Sequence, residues 1–288
     1  MERLELDDVE LTYEARGQGD RVVLIHSSSF VSWYSPLVEN LPDFSVLRYR
    51  RRLRYDSTSG FRPLTVSDDA GICSSLMEHV GWPTAHVVGH SYGALVALEL
   101  AKERRSRVRS VALLEPAARG VSSSERVVAA LQPVIDAYRT GDREAAVDGF
   151  LRTVGGDDYR AALDRLLPEA FGEAVAEADL FFQVEMPAVG QWSFGPADAK
   201  RITQPVLNVI GAESVPRFVE GGQLVQSWFP QAERFVLPNA GHLLMLQNPA
   251  AMAQGLRDFF MRHPIVGLGP QAGPADVTRG TPVRGRSA

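Results

Sequence analysis

The chain of 288 residues is 45% hydrophobic and 23% charged, enough apolar material for one large domain or a domain carrying an insertion. A net charge of -5 argues against a general nucleic-acid binder, and the single cysteine, Cys73, rules out an intrachain disulfide and a thiolate metal cage. The N-terminal MERLELDDVELTYEA lacks an apolar signal-like run and no segment approaches the ~20 apolar residues of a membrane helix, so a cytoplasmic protein without membrane contact is expected.

Residues 2–6 and 9–15 alternate in polarity and end at Gly17-Gln18-Gly19, which predicts an antiparallel ribbon. Val22 to Ile25 is a short continuous apolar run, as expected of a strand buried on both faces. A helix is predicted from Trp33, a strand from Ser45 (SVLRY), and a helix over TVSDDAGICSSLMEHVG that stops at Gly81. AHVVG, SYGALVALELAKE and SVALL then read as strand, helix and strand. Such alternation implies a parallel sheet covered by helices. From about Gly120 to Ile202 only helical patterns follow one another, which reads as an insertion over one sheet edge. The alternation resumes with PVLNVI, AERFVL and AAMAQGLRDFFMRH. The expected division is an α/β core over 1–117 and 203–263, a helical cap over 118–202, and a Pro- and Gly-rich disordered tail over 264–288.

The strongest chemical signal is HVVGHSYGAL, residues 86–95. A buried strand runs into Gly89-His90-Ser91-Tyr92-Gly93 and a helix begins at once, the context that G-x-S-x-G requires. The turn projects the Ser91 hydroxyl above the sheet, and flanking glycines avoid collision with neighbouring strand and helix. A serine hydroxyl needs a base to take its proton. Of six histidines, His79 and His86 sit on a helix and a strand, His90 lies inside the turn pointing away from the nucleophile, and His263 borders the tail. His26, at a strand end, and His242, in the loop LPNAGHLLM, remain, and the loop gives His242 the freedom to reach Ser91.

Together GHSYG, PNAGH and LIHSSSFVSWYSPLVENL resemble the α/β-hydrolase superfamily over about residues 2–263. The resemblance implies an α/β-hydrolase fold, a mostly parallel central sheet flanked by helices, with the all-helical insertion as cap after the sixth strand. It also implies an oxyanion hole from the backbone N–H groups of Ser28 and Tyr92, with no cofactor and no metal. This chain departs from the family in three places. His26-Ser27 stands where His-Gly is usual. RYRRRLRYDS replaces the usual turn after the fourth strand, and its arginines, Arg51 among them, either bind an anionic substrate group, or form a solvated loop or pair with the chain's own acids. Finally, Ser214 occupies the position where the family most often carries the triad's aspartate after the seventh strand. The family's second place for the acid, the end of the sixth strand, holds Glu115 in LLEPAA, and Glu213 is the alternative beside Ser214; a site using neither stays open.

The segment DLFFQVEMPAVGQWSF puts Phe182 and Trp192 either along an apolar substrate pocket or in the cap's own core. Trp33 and His26 follow or border the oxyanion loop and are candidate pocket residues. The expected activity is that of a cofactor-independent serine hydrolase acting on a small, largely apolar ester or lactone, with cleavage of a carbon–carbon bond or an amide as weaker options. Ser91 argues against epoxide hydrolase or dehalogenase chemistry, for which the superfamily places aspartate at the elbow. The rival reading is a non-hydrolytic member that binds a ligand or serves biosynthesis with a degraded triad. A small-molecule substrate, no nucleic acid, and a monomer or homodimer complete the expectation.

Overall fold

A computed structural model describes residues 1–6, 9–53, 55–56 and 60–266. Eight strands form one sheet: β1 (Glu2–Leu6), β2 (Val9–Arg16), β3 (Arg21–Ile25), β4 (Ser45–Leu53), β5 (Ala85–His90), β6 (Val108–Leu114), β7 (Val206–Gly211) and β8 (Glu233–Leu237). Their spatial order is β1-β2-β4-β3-β5-β6-β7-β8. β1 and β2 pair antiparallel, as do β2 and β4, and every later pairing is parallel. The expected α/β-hydrolase architecture is therefore present, with its N-terminal ribbon.

The alternating direction of side chains along a strand explains how the sheet is buried on both faces. Val22, Leu24, Val88, Ala112 and Leu114 join one apolar cluster, while Val23, Ile25, Val87, Val111 and Leu113 join another. The first face is covered by α1 (Ser35–Glu39) and the C-terminal helices; the second by α2 (Val66–His79) and α3 (Tyr92–Glu103). α2 begins with a capping box in which Thr65 and Asp68 satisfy each other's backbone N–H groups.

Between β6 and β7 come α4 (Ser124–Arg139), α5 (Arg143–Gly155), α6 (Tyr159–Leu166), α7 (Ala170–Ala176), α8 (Ala178–Leu180), a π-helical turn over Phe181–Glu185, α9 (Met186–Gln191) and α10 (Pro196–Ala199). Apolar residues of α4 to α7 join the cluster that also holds Phe30, Trp33 and Leu243 to Leu246, so these helices pack with the sheet's first face. After β7 come α11 (Pro216–Trp228), α12 (Leu244–Gln247) and α13 (Pro249–Arg262). No helix among the described residues is long and apolar enough to cross a membrane.

Two expectations change. The helix expected from Trp33 is a 3-10 segment over Ser28–Tyr34 followed by the five-residue α1. The arginine run is not a loop, for β4 continues to Leu53 because β2 pairs with it residue by residue from Val46 to Leu53. Of the expected tail, residues 267–288 lie outside the described residues, while Ile265 is buried and donates its N–H to Asp20.

Candidate active site

β5 ends at His90 and α3 starts at Tyr92, which leaves Ser91 to make the whole turn. It does so at φ 53 and ψ -113, a conformation L-residues rarely adopt. The flanking glycines are required by contact: a Cβ on Gly89 would sit 2.2 Å from the Gly93 carbonyl oxygen, and one on Gly93 would sit 2.0 Å from that of Ile25. Ser91 donates its backbone N–H to Leu114 at 3.0 Å, and its carbonyl accepts from Ala94 and Ala117.

The register places a carboxylate beside this turn. His90 of β5 lies opposite Leu114 of β6, so the next residues, Ser91 and Glu115, leave adjacent strand ends. Glu115 also has positive φ, at 44, and donates its N–H to Val209 of β7. Its Oε1 accepts from Gly211 N–H at 2.8 Å and from the Ser214 hydroxyl, and its Oε2 lies 2.7 Å from His242 Nδ1. Among the described residues, Asn239 in the His242 loop is the remaining non-glycine with positive φ, so all three strained positions fall on the strand ends and loop that carry this cluster.

His242 and Glu115 are both buried. Burial pushes the His242 imidazolium down to about 3, helped by the charge of Arg217. Burial pushes the Glu115 carboxyl up to about 7, against the pull of its bonds from Ser214 and Gly211. With a carboxylate facing Nδ1, that nitrogen carries the proton and Nε2 keeps its lone pair. Neither Ser91 Oγ nor His242 Nε2 has a hydrogen-bond partner among the described residues. A neutral imidazole with a free Nε2 one strand end from a strained serine can act as general base.

Three contributions to this arrangement were not foreseen. Phe218, on the first turn of α11, stacks on the His242 ring at 3.7 Å and 6°, fixing its plane. Ser214, the residue in the expected aspartate's place, supports Glu115 instead. His90 donates Nε2–H to the His242 carbonyl at 2.8 Å, which leaves Nδ1 to accept from His26 Nε2 at 3.0 Å. Burial, followed by the neighbouring imidazoles, holds His26 and His90 well below the usual histidine range. Ser214 alone carried a signal, a hydroxyl at a carboxylate's usual position; the others depend on packing.

The other candidate residues lie in varied surroundings. Glu213 is exposed, since one residue of shift in the tight turn sends its side chain to solvent, and the carboxylate at His242 Nδ1 is that of Glu115. Arg51 is buried with its guanidinium taken by protein acids: Nη1 lies 2.8 Å from Asp69 and Nη2 bonds Glu185. Trp192 donates to Glu99 of α3 at 2.9 Å and stacks on Phe194, joining the cluster on the sheet's second face. Phe182 stacks on Tyr138 inside the helical insertion, and His26 is enclosed by Phe30, Trp33, Tyr34 and His90. Trp33 is buried there with them. Ser28 opens the 3-10 segment, and Tyr92 opens α3 directly after Ser91. Ser27, in place of the usual glycine, has φ -57 and ψ 140, ordinary backbone for any side chain. No metal-holding group of side chains occurs among the described residues. A groove of about 350 Å³ between β8 and α13, bounded by Phe235, Pro238, Gln254 and Arg262, shares no residue with this cluster.

Residues 22–255 match the family model described as the alpha/beta hydrolase family. Among curated proteins, the dihydrolipoyllysine-residue acetyltransferase component of the acetoin cleaving system of Cupriavidus necator is 28% identical over 254 residues. That match covers 85% of this chain and 64% of the relative, so the chain spans less than two thirds of that protein's length. Among solved structures, an alpha/beta hydrolase from Sphaerobacter thermophilus superposes with a TM-score of 0.72 at 25% identity, over 90% of this chain and all of that one. The enol-lactonase from Burkholderia xenovorans reaches a TM-score of 0.74 at 23% identity over the same shares, a likeness of fold.

Proposed function

The chain belongs to the alpha/beta hydrolase family, and from that premise we propose that it is a serine hydrolase cleaving a small carboxylic ester or lactone through an acyl-enzyme on Ser91. The observation that carries this reading is the buried 2.7 Å contact between His242 Nδ1 and Glu115, assembled beside the strained turn of Ser91.

In this scheme His242 Nε2 takes the Ser91 proton as Oγ attacks the substrate carbonyl. Glu115 holds the imidazole in the required tautomer and stabilises the imidazolium that forms. The backbone N–H groups of Ser28 and Tyr92 receive the developing oxyanion. His242 then returns the proton to the leaving alcohol oxygen, which in a lactone stays tethered to the acyl group. Water attacks the acyl-enzyme, again losing its proton to His242, and the acid departs as Ser91 is reprotonated. The apolar ring cluster of Phe30, Phe150 and Phe181, where the helical insertion meets the oxyanion loop, supports a largely apolar substrate.

The test is covalent labelling with a fluorophosphonate probe, followed by turnover of a panel of activated esters and lactones. Labelling of the wild type but not of Ser91→Ala is expected. A wild type that neither labels nor turns over any panel member sinks the hydrolase reading.

A further inference from the structure

Two arginines of β4 make ion pairs that reach the helical insertion. Arg50 lies 3.2 Å from Glu173 and 3.8 Å from Glu177, and Arg51 bonds Glu185 at the end of the π-helical turn. The Arg51–Glu185 pair is fully buried and does not end there. The second oxygen of Glu185 accepts the Ser27 hydroxyl, from the residue immediately before Ser28. On its other side Arg51 meets Asp69 of α2, whose Oδ2 also accepts the Tyr92 hydroxyl. The two backbone segments proposed as oxyanion donors therefore both run into one buried ion cluster, and one member of that cluster belongs to the insertion.

Burying Arg51, Asp69 and Glu185 is an expensive way to hold a fold together, since well-packed apolar residues often serve stability equally well. What a hydrogen-bonded cluster supplies that apolar packing does not is direction. Here the direction is set at Ser27, where the family's usual glycine has no side chain to hold.

We propose that Glu185 is a positioning residue: reaching from the insertion, it fixes Ser27 and thereby places the Ser28 N–H for the oxyanion. The oxyanion loop is then held in its working position only while the helical insertion is seated on β4. This rests on the serine-hydrolase reading above and adds to it a coupling between insertion and oxyanion loop.

The test uses the full chain with a p-nitrophenyl ester, reading kcat, KM, the rate of fluorophosphonate labelling and the thermal midpoint. Loss of one positioning bond is expected to lower kcat and the labelling rate about tenfold in Ser27→Val and in Glu185→Leu, with KM within about twofold, less than removal of a whole oxyanion donor costs. The double variant is expected to be no slower than Glu185→Leu alone, because the bond that Ser27→Val removes is already gone there. Ser27→Thr, which keeps the hydroxyl, is expected to retain kcat within about twofold. Additive losses, a threonine variant as slow as valine, or losses confined to KM overturn the proposal. Should Glu185→Leu fail to fold, the valine and threonine pair decides, since it leaves the Arg51–Glu185 contact in place. Labelling of the wild type with unchanged Ser27→Val kinetics overturns the positioning role alone, whereas a wild type that does not label overturns the Ser91 reading together with it.

Discussion

Replacing Glu115 by glutamine tests the site at its most informative bond. Glu115 Oε1 accepts from Gly211 N–H at 2.8 Å, an obligate donor, so the amide oxygen of the introduced glutamine must take that place. The amide NH₂ then faces His242 Nδ1 at the 2.7 Å contact and must donate to it. That exchange forces the proton of neutral His242 onto Nε2, leaving no lone pair for the Ser91 hydroxyl. A wrong tautomer of this kind costs about 10⁴ in kcat in a serine protease triad; allowing for local rearrangement, a loss of about 10³- to 10⁴-fold is expected here, or about 4–5 kcal/mol. The fold should survive, because burial already favours the uncharged form of Glu115, and the thermal midpoint above pH 7 should hold or rise. The assay is steady-state hydrolysis of an activated ester, beside Glu213→Gln, whose exposed side chain predicts kcat within about twofold of wild type. A Glu115→Gln enzyme retaining more than a tenth of wild-type kcat, or a comparable loss in Glu213→Gln, would refute the reasoning.

Phe218→Ala removes the ring stacked on His242 and leaves a cavity in a buried position; a loss of about 3 kcal/mol in stability and about tenfold in kcat is expected from urea unfolding and ester kinetics, and unchanged kcat would show that the stack does not orient the base. Arg51→Met leaves Asp69 and Glu185 without its charge and should cost about 3–5 kcal/mol in unfolding free energy, whereas an arginine serving mainly as a substrate contact would raise KM and leave stability intact. Stability should fall on acidification between pH 6.5 and 5. His26, His86, His90 and His242 are kept neutral in the fold below their unfolded value, so the unfolded chain binds these protons first. Glu115, raised to about 7, and Asp69, raised to about 6, act with opposite sign, since their contribution is lost as pH rises. The imidazoles outnumber them, giving a net slope on the order of 1–3 kcal/mol per pH unit; a stability maximum below pH 5.5 in chemical denaturation would contradict this balance.

Sheet and elbow were legible in the sequence because their causes are local. A strand buried on both faces needs a continuous apolar run, and Val22 to Ile25 and Val111 to Leu114 supply it whatever surrounds them. The elbow needs glycine at 89 and 93 because main-chain atoms lie about 2 Å from where a Cβ would be, and that demand is written as G-x-S-x-G. The strand through the arginine run is not legible in the sequence because its pairing strand, β2, lies more than thirty residues earlier, and partner strands leave no trace in the composition of β4 itself.

The acid shows the other side of the division. By itself the sequence sets Glu115 at the family's second place for the acid and Glu213, the alternative, one residue before the usual place, and it shows the partner of neither. The choice depends on how β5, β6 and β7 are staggered, and on a positive φ at Glu115 that turns its carboxylate toward the His242 loop, 127 residues away in sequence. The partners of Arg51 were decided in the same manner, by the packing of α2 and the helical insertion against β4. Backbone conformation and strand identity are short-range properties of the chain. Which charge meets which is a property of register and packing, and only the tertiary structure sets those.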